Sequence, residues 1–193
     1  MLYVSAILEY PQKHPISAEE YLRMGEAGVF APEARLELIE GEILEMAPIG
    51  GPHVGRVIKL TRLFTERAGS RVDVSVQNSL VISDRSVPQP DVVLLKRRSD
   101  EQIASLPTAP DVLLVVEVGD TSLSFDLRAK VPLYARCGIP EVWVIDLDER
   151  LVRIFREPRA EGYGITLSAA VGQRIACAAL PEAAIEVGEL FPG

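Results

Sequence analysis

Three side chains carry the chemistry that this sequence suggests: Asp91 after Pro90, Glu117 at the end of an apolar run, and Lys130 beyond it. The run Val112 to Val116 is apolar and β-branched enough to read as a buried strand. A carboxylate at the end of such a strand needs a cation, a hydrogen-bond network or a raised pKa, because burying it unpaired costs several kcal/mol. Asp111 starts the same strand, so extended chain at about 3.3 Å per residue puts it roughly 20 Å away, too far to share one ion. Asp91 starts its own strand. The link from Leu95 to Asp111 is long enough to return the chain antiparallel, which brings Asp91 and Glu117 to one edge of a sheet. Two adjacent carboxylates repel and hold a proton or a cation. An oxygen-only pair suits a hard ion, Mg²⁺ or Mn²⁺, better than zinc. Such an ion activates a water and stabilises charge on a phosphoryl oxygen, and Lys130 adds the positive charge that phosphodiester hydrolysis needs. The competing reading of Lys130 is an ordinary i,i+4 helix pair with Asp126.

Those residues need a scaffold. Ser17-Ala18-Glu19-Glu20 fits a capping box, which starts a helix from about Ser17 to Ala27, with Gly28 as the stop. Arg35 to Met46 reads as a hairpin turning at Glu40-Gly41. After a Gly- and Pro-rich loop, His53 to Ala68 is amphipathic, with Val54, Val57, Leu60 and Phe64 on one face. Strands follow at Val72 to Val76, Leu80 to Ile82 and Asp91 to Leu95, and then comes the strand ending at Glu117. A helix runs to about Cys137, with Pro132 expected to kink it. Glu141 to Asp146 is a strand, Val152 to Phe155 and Tyr163 to Leu167 look like outer strands, and Ala183 to Leu190 closes the chain. The order implies a single α/β or α+β domain over residues 1–193, built on one mixed central sheet flanked by helices.

Composition agrees with a globular domain: 48% hydrophobic and 25% charged residues in a chain of 193. No window approaches a membrane span, and the N-terminal MLYVSAILEY lacks the basic start of a signal peptide. Cys137 and Cys177 show no metal-ligand spacing and suggest a reducing, cytoplasmic setting. A net charge of −8 argues against a protein that coats nucleic acid through bulk electrostatics. Local basic clusters remain at Arg97-Arg98, at Arg56 with Lys59 and Arg62, and from Arg150 to Arg159, each of which also reads as a solvated face.

Pro90-Asp91, Glu117, Asp126-x-x-x-Lys130-x-x-x-Tyr134, Gly138 and Val142-Trp143-Val144-Ile145-Asp146 together resemble a large bacterial family of restriction-endonuclease-like proteins in the PD-(D/E)XK nuclease superfamily. Leu36-Glu37-Leu38-Ile39-Glu40-Gly41-Glu42 and Met46 look like its N-terminal signature, and His53 and Gln77 fall where its pattern has them. The likeness covers roughly Ser17 to Phe191. It implies a restriction endonuclease-like fold and Mg²⁺-dependent cleavage of DNA, with Asp91, Glu117 and the carbonyl of Val118 as metal ligands. The superfamily usually carries a lysine two residues after the second acid, where this chain has Gly119. Lys130 on the following helix takes that role in the resemblance.

Glu42 matches the signature acid and is a candidate third carboxylate, whereas Glu37 and Glu40 read as solvated. His53 is a candidate partner for phosphate or water, and Gln77 for the metal-bound water or a neighbouring strand. Trp143 and Tyr134 read as packing residues. Two other functions compete with a metal-dependent DNA endonuclease. One is a non-catalytic domain of the same fold that binds nucleic acid or protein. The other is a carboxylate-pair glycosidase, which 6% aromatic content and the unused Lys130 argue against. Cleavage of both strands of a near-dyad substrate favours a homodimer, with Ile185 to Phe191 and Val152 to Phe155 as candidate interface elements.

Overall fold

The first helix, α1 (Ala18–Glu26), starts where its capping box dictates: Ser17 Oγ accepts from the backbone of Glu20, and Glu20 returns to the Ser17 amide at 2.8 Å. The structure, a computed structural model, describes residues 13–48 and 50–191. The N-terminal decapeptide judged against a signal peptide lies outside the described residues. Strands β1 (Leu36–Ile39) and β2 (Glu42–Glu45) form the expected hairpin. Its turn needs positive φ at both Glu40 (50°) and Gly41 (86°), and a Cβ on Gly41 would stand 2.7 Å from Cβ of Pro15.

Helix α2 (Gly51–Ala68) buries Val57, Leu60, Leu63 and Phe64 but leaves Val54 44% exposed, so the apolar stripe begins one turn later than its sequence suggests. The central sheet runs β3 (Val72–Val76), β4 (Val92–Lys96), β5 (Val112–Gly119), β6 (Glu141–Asp146), β7 (Leu151–Arg159) and β8 (Gly162–Ala170) in sequential spatial order. Only β5 and β6 are parallel, and that pair requires a crossover. The crossover is α4 (Leu123–Phe125), a π-helical turn (Asp126–Lys130) and α5 (Val131–Arg136), continuous in space. Helix α2 covers one sheet face, packing on Leu114, Val116, Trp143 and Ile145, while α5 covers the other with Val93, Val115, Val142 and Val144.

Several expectations shift. Proline at 132 cannot donate to the helix ladder and crowds the carbonyl a turn back. The chain absorbs it by widening the preceding turn, with Val131 N–H reaching the carbonyl of Asp126. Leu80 to Ile82 contributes a single isolated bridge, Val81 to Thr108, because the chain turns back at once through Ser83 to Ser86. The β4–β5 link contains an unforeseen single-turn helix, α3 (Asp100–Ile103), capped by Ser99. Val152 to Phe155 belongs to β7, an inner strand between β6 and β8. Ile185, Val187, Leu190 and Phe191, in β10 (Ile185–Glu186), α6 (Val187–Leu190) and just beyond, are buried under α2. Neither proposed interface element is therefore free to meet a second copy. β9 (Arg174–Ile175) pairs with β10. Both cysteines are free thiols, and among the described residues no helix is long and apolar enough to cross a membrane.

At the far end of the sheet, buried Glu141 accepts from Trp143 Nε1 (2.6 Å), Arg156 Nη2 (2.8 Å) and the Ala178 amide (2.7 Å), pinning the C-terminal segment to β6. Glu141→Ala removes the acceptor of three donors at once, of which Arg156 keeps the Ala176 carbonyl, and should cost about 3 kcal/mol in urea-unfolding free energy. A loss below about 1 kcal/mol would show that water takes over these bonds.

Candidate active site

The sheet's register builds the site. Val76 pairs with Val92 and Val92 with Val116, so the next row continues as Gln77, Asp91 and Glu117 across three neighbouring strands. Alternation along β5 turns Val116 and Val118 toward α2 and Glu117 toward α5. Asp91 and Glu117 thus lie side by side, and Asp111 is used elsewhere, bonding Thr108.

Asp91 is held by three donors. Its Oδ2 accepts from the Val118 amide (2.8 Å) and lies 2.9 Å from His53 Nε2, and its Oδ1 accepts from Gln77 Nε2 (3.1 Å). His53 arrives from the first turn of α2, behind Gly50 and Pro52. Gln77 adopts φ +50° just past the end of β3, which aims its side chain back at Asp91. Glu117 is held from the other side: its Oε1 accepts from Tyr134 OH at 2.6 Å and from Lys130 Nζ at 3.2 Å. Lys130 also donates to Glu37 Oε1 at 2.9 Å, from the hairpin. The simple i,i+4 pairing with Asp126 gives way to these partners, since the π-helical turn changes the helix's face-to-face spacing and Asp126 accepts from Ser122 Oγ instead.

These residues share one small cleft of about 170 Å³, which Arg35, Glu37, His53, Asp91, Glu117 and Lys130 line together. Glu37 and Lys130 are each only 2% exposed. Solvated status, the reading for Glu37, is overturned: strand alternation in β1 points it inward, and Ile39 beside it is core. Glu42, the candidate third carboxylate, stands on the outer strand of the hairpin, 59% exposed and paired with Lys13. The hairpin's acid in the cleft is Glu37. Tyr134, read as a packing residue, is a fully buried donor to Glu117; its spacing one turn beyond Lys130 was the available signal. Trp143 is core, as expected. Glu40 remains on the surface with Arg136.

One ammonium faces four acids. Burial alone would depress Lys130, but Glu117, Glu37 and Asp126 push its pKa above the ordinary lysine value, so it stays charged. Burial pushes the Glu117 carboxyl up to about 8; Lys130 opposes the shift, and Asp126, Asp91 and Glu37 add to it. Asp126 is raised too, by burial first. Burial and the nearby carboxylates raise Tyr134, keeping its hydroxyl a donor. The two directions at the Lys130–Glu117 pair have one cause: a single buried ammonium is shared among several acids. Glu37 Oε2 and His53 Nδ1 are buried with no hydrogen-bond partner. Excess buried negative charge and an orphaned carboxylate oxygen are a donor set that fits a hard divalent ion. Among the described residues no group of three His, Cys, Asp or Glu side chains is arranged to hold a metal, and Asp91 and Glu117 are the two carboxylates that stand side by side on neighbouring strands.

The raised Glu117 pKa has a definite sign. The folded state keeps a proton that the unfolded chain releases near 4.5, so this stabilisation is complete below that value and lost as pH rises through about 8. With chelator present, the melting temperature should fall between about pH 5 and 8, and Glu117→Gln should flatten that fall. Equal slopes in wild type and variant would show that Glu117 is ionised throughout.

Residues 18–188 match the Uma2 family, described as "Putative restriction endonuclease". The fold is similar to the crystal structure of "a putative nuclease belonging to DUF820" from Anabaena variabilis, with a TM-score of 0.76 at 17% identity, over 92% of this chain and 98% of that one. At that identity the likeness is one of fold. No curated protein matches the chain. The family match spans nearly the whole described fold, including every residue of the cleft, and bears out the resemblance read from the motifs. The chain belongs to the Uma2 family of restriction-endonuclease-like proteins.

Proposed function

We propose that this protein is a divalent-metal-dependent endonuclease that hydrolyses phosphodiester bonds in DNA at the Asp91–Glu117 cleft. The observation that supports this most is the adjacency of those two carboxylates on one sheet edge with a buried, charged lysine across from them. Mg²⁺ or Mn²⁺ is the cofactor this reading requires, with Asp91, Glu117 and the Val118 carbonyl as its ligands. When bound, such an ion lowers the pKa of a water and neutralises phosphoryl charge. The chain's own residues do the rest. His53 and Gln77 fix the Asp91 carboxylate in one rotamer, and Tyr134 fixes Glu117. Glu37 takes one of the three ammonium protons of Lys130 and Glu117 a second, which leaves the third for a phosphoryl oxygen.

Lys130 supplies this charge from the helix because the usual strand position is closed to it. A Cβ at Gly119 would stand 2.6 Å from Leu123 Cδ1 and 3.2 Å from Leu123 Cα, where the crossover begins.

Mg²⁺ or Mn²⁺ should raise the melting temperature of the wild type, and Asp91→Asn should abolish that rise while keeping the fold. An equal rise in both would sink the shared site. Lys130→Gln should lower the rate of plasmid cleavage by about 10² or more. Gly119→Lys in that background should destabilise the chain through Leu123 and restore nothing. Full cleavage by Lys130→Gln would reduce the lysine to a structural ion.

A further inference from the structure

The cleft holds an arginine that pairs with none of the acids around it. Arg35 lines the same cavity as Glu37, Asp91, Glu117, Asp120 and Asp126. Among the described residues its one side-chain bond runs from Nη1 to the carbonyl of Ala47. Other arginines of this chain find acids: Arg67 takes Glu189, Arg136 takes Glu40 and Arg153 takes Asp146. Glu37 lies two residues along the same extended stretch, so alternation sends both side chains to one face. Its Oε2 is nevertheless buried without a partner. A guanidinium so close to an orphaned carboxylate oxygen, and not spent on it, is held for another acceptor.

The hold comes from the exit of the hairpin. The Met46 amide donates to the Arg35 carbonyl at 2.8 Å, and the next residue, Ala47, receives the guanidinium. Root and tip of the side chain are fixed by consecutive residues, so much of its rotamer freedom is gone before a ligand arrives. Ala47 uses one donor, and the rest of the planar fork has no acceptor among the described residues. The cleft says what that acceptor is. Lys130 is 2% exposed and committed to two acids, whereas Arg35 is only half-buried and meets solvent. A cavity of about 170 Å³ is small against the roughly 300–1,000 Å³ of drug-sized ligand pockets, so it takes one compact charged group and not a nucleoside. Guanidinium groups grip phosphate oxygens bidentately, which an ammonium cannot do.

We propose that Arg35 is the phosphate-binding residue of the cleft, its fork holding the non-bridging oxygens of the scissile phosphodiester, an assignment that rests on the nuclease reading above. Lys130 answers the charge that develops during hydrolysis, and Arg35 seats the group beforehand. The hairpin thereby contributes a substrate contact as well as the buried acid Glu37. In a chain of net charge −8, it places a cation where a polyanion must enter.

Binding of a fluorescein-labelled 20-base-pair duplex, followed by anisotropy across a NaCl series with Ca²⁺ in place of Mg²⁺, reads this contact apart from cleavage. One lost phosphate contact lowers the slope of log affinity against log salt by about 0.9, so Arg35→Gln should show that drop and about tenfold weaker binding at the lowest salt. Arg35→Lys keeps the charge and loses the fork, so it should keep the slope and bind less tightly than wild type. Both variants should retain the metal-induced rise in melting temperature, because Asp91 and Glu117 are untouched. An unchanged slope in Arg35→Gln, whatever its affinity, overturns the assignment and leaves Arg35 an anchor for Ala47. Should Arg35→Gln fail to fold, phenylglyoxal labelling of the wild type with peptide mapping decides. The duplex should protect Arg35, and an unprotected Arg35 overturns the proposal. Absence of any wild-type binding also overturns it, while the metal-induced stabilisation at Asp91 judges the nuclease reading separately. Binding with the expected slope loss but no cleavage by wild type upholds the phosphate contact and removes the nuclease.

Discussion

The ammonium of Lys130 is the group on which this structure turns. It is almost fully buried, and it stays charged only because Glu37 and Glu117 accept from it at 2.9 and 3.2 Å. A lone ion at that depth would be several kcal/mol out of place. The hairpin, the central strand and the crossover helix each contribute one member of the cluster, so none can shift without leaving a buried charge unpaired. Remove the lysine and two carboxylates lose their cation; remove the hairpin acid and the ammonium loses its nearer partner. The cluster thus fixes the hairpin against the sheet more specifically than the apolar contacts of Leu38 and Ile39 could alone.

Around that charge the rest of the cleft is an exercise in rotamer control. Asp91 has three of its lone-pair directions occupied by donors from α2, from the end of β3 and from the β5 backbone. Glu117 has a tyrosine hydroxyl and an ammonium on one oxygen. Polar networks in a site shielded from water are strong when every member is satisfied. Here nearly all are, and the exceptions, Glu37 Oε2 and His53 Nδ1, belong to residues lining the cleft. An incompletely satisfied network lining a cleft is one that a bound ligand can complete.

Most of this was legible in the sequence, for reasons that differ by residue. Asp91 and Glu117 were readable because the argument needed only strand length and an antiparallel return, and both are local quantities. The Ser17 capping box and the Glu40-Gly41 turn were readable because short-range backbone chemistry sets them. Glu37 was misread because LELIEGE carries three acids in equivalent guises, and only the long-range pairing of the hairpin with the sheet decides which one faces inward. Arg136 on Glu40 and Lys13 on Glu42 show the other acids taking surface partners. The Asp126–Lys130 pair failed for a different reason. An i,i+4 rule assumes a regular α-helix, and Pro132 imposes a π-helical turn at that very place. The C-terminal apolar segment looked like an interface because its hydrophobicity was visible and its own chain's α2 was not.

The bond from Lys130 to Glu37 joins residues 93 positions apart, and Tyr134, which completes the cluster, lies later still. During synthesis the hairpin leaves the ribosome long before the helix that answers it. Asp91 and Glu117 can pair as soon as their strands meet, but they stay two repelling acids until the crossover folds down with its lysine. A chain stopped short of that helix has the acids of the cleft without its cation. Completion of the charged cluster is thereby tied to the length of the nascent chain, and an unfinished molecule holds its buried acids unanswered.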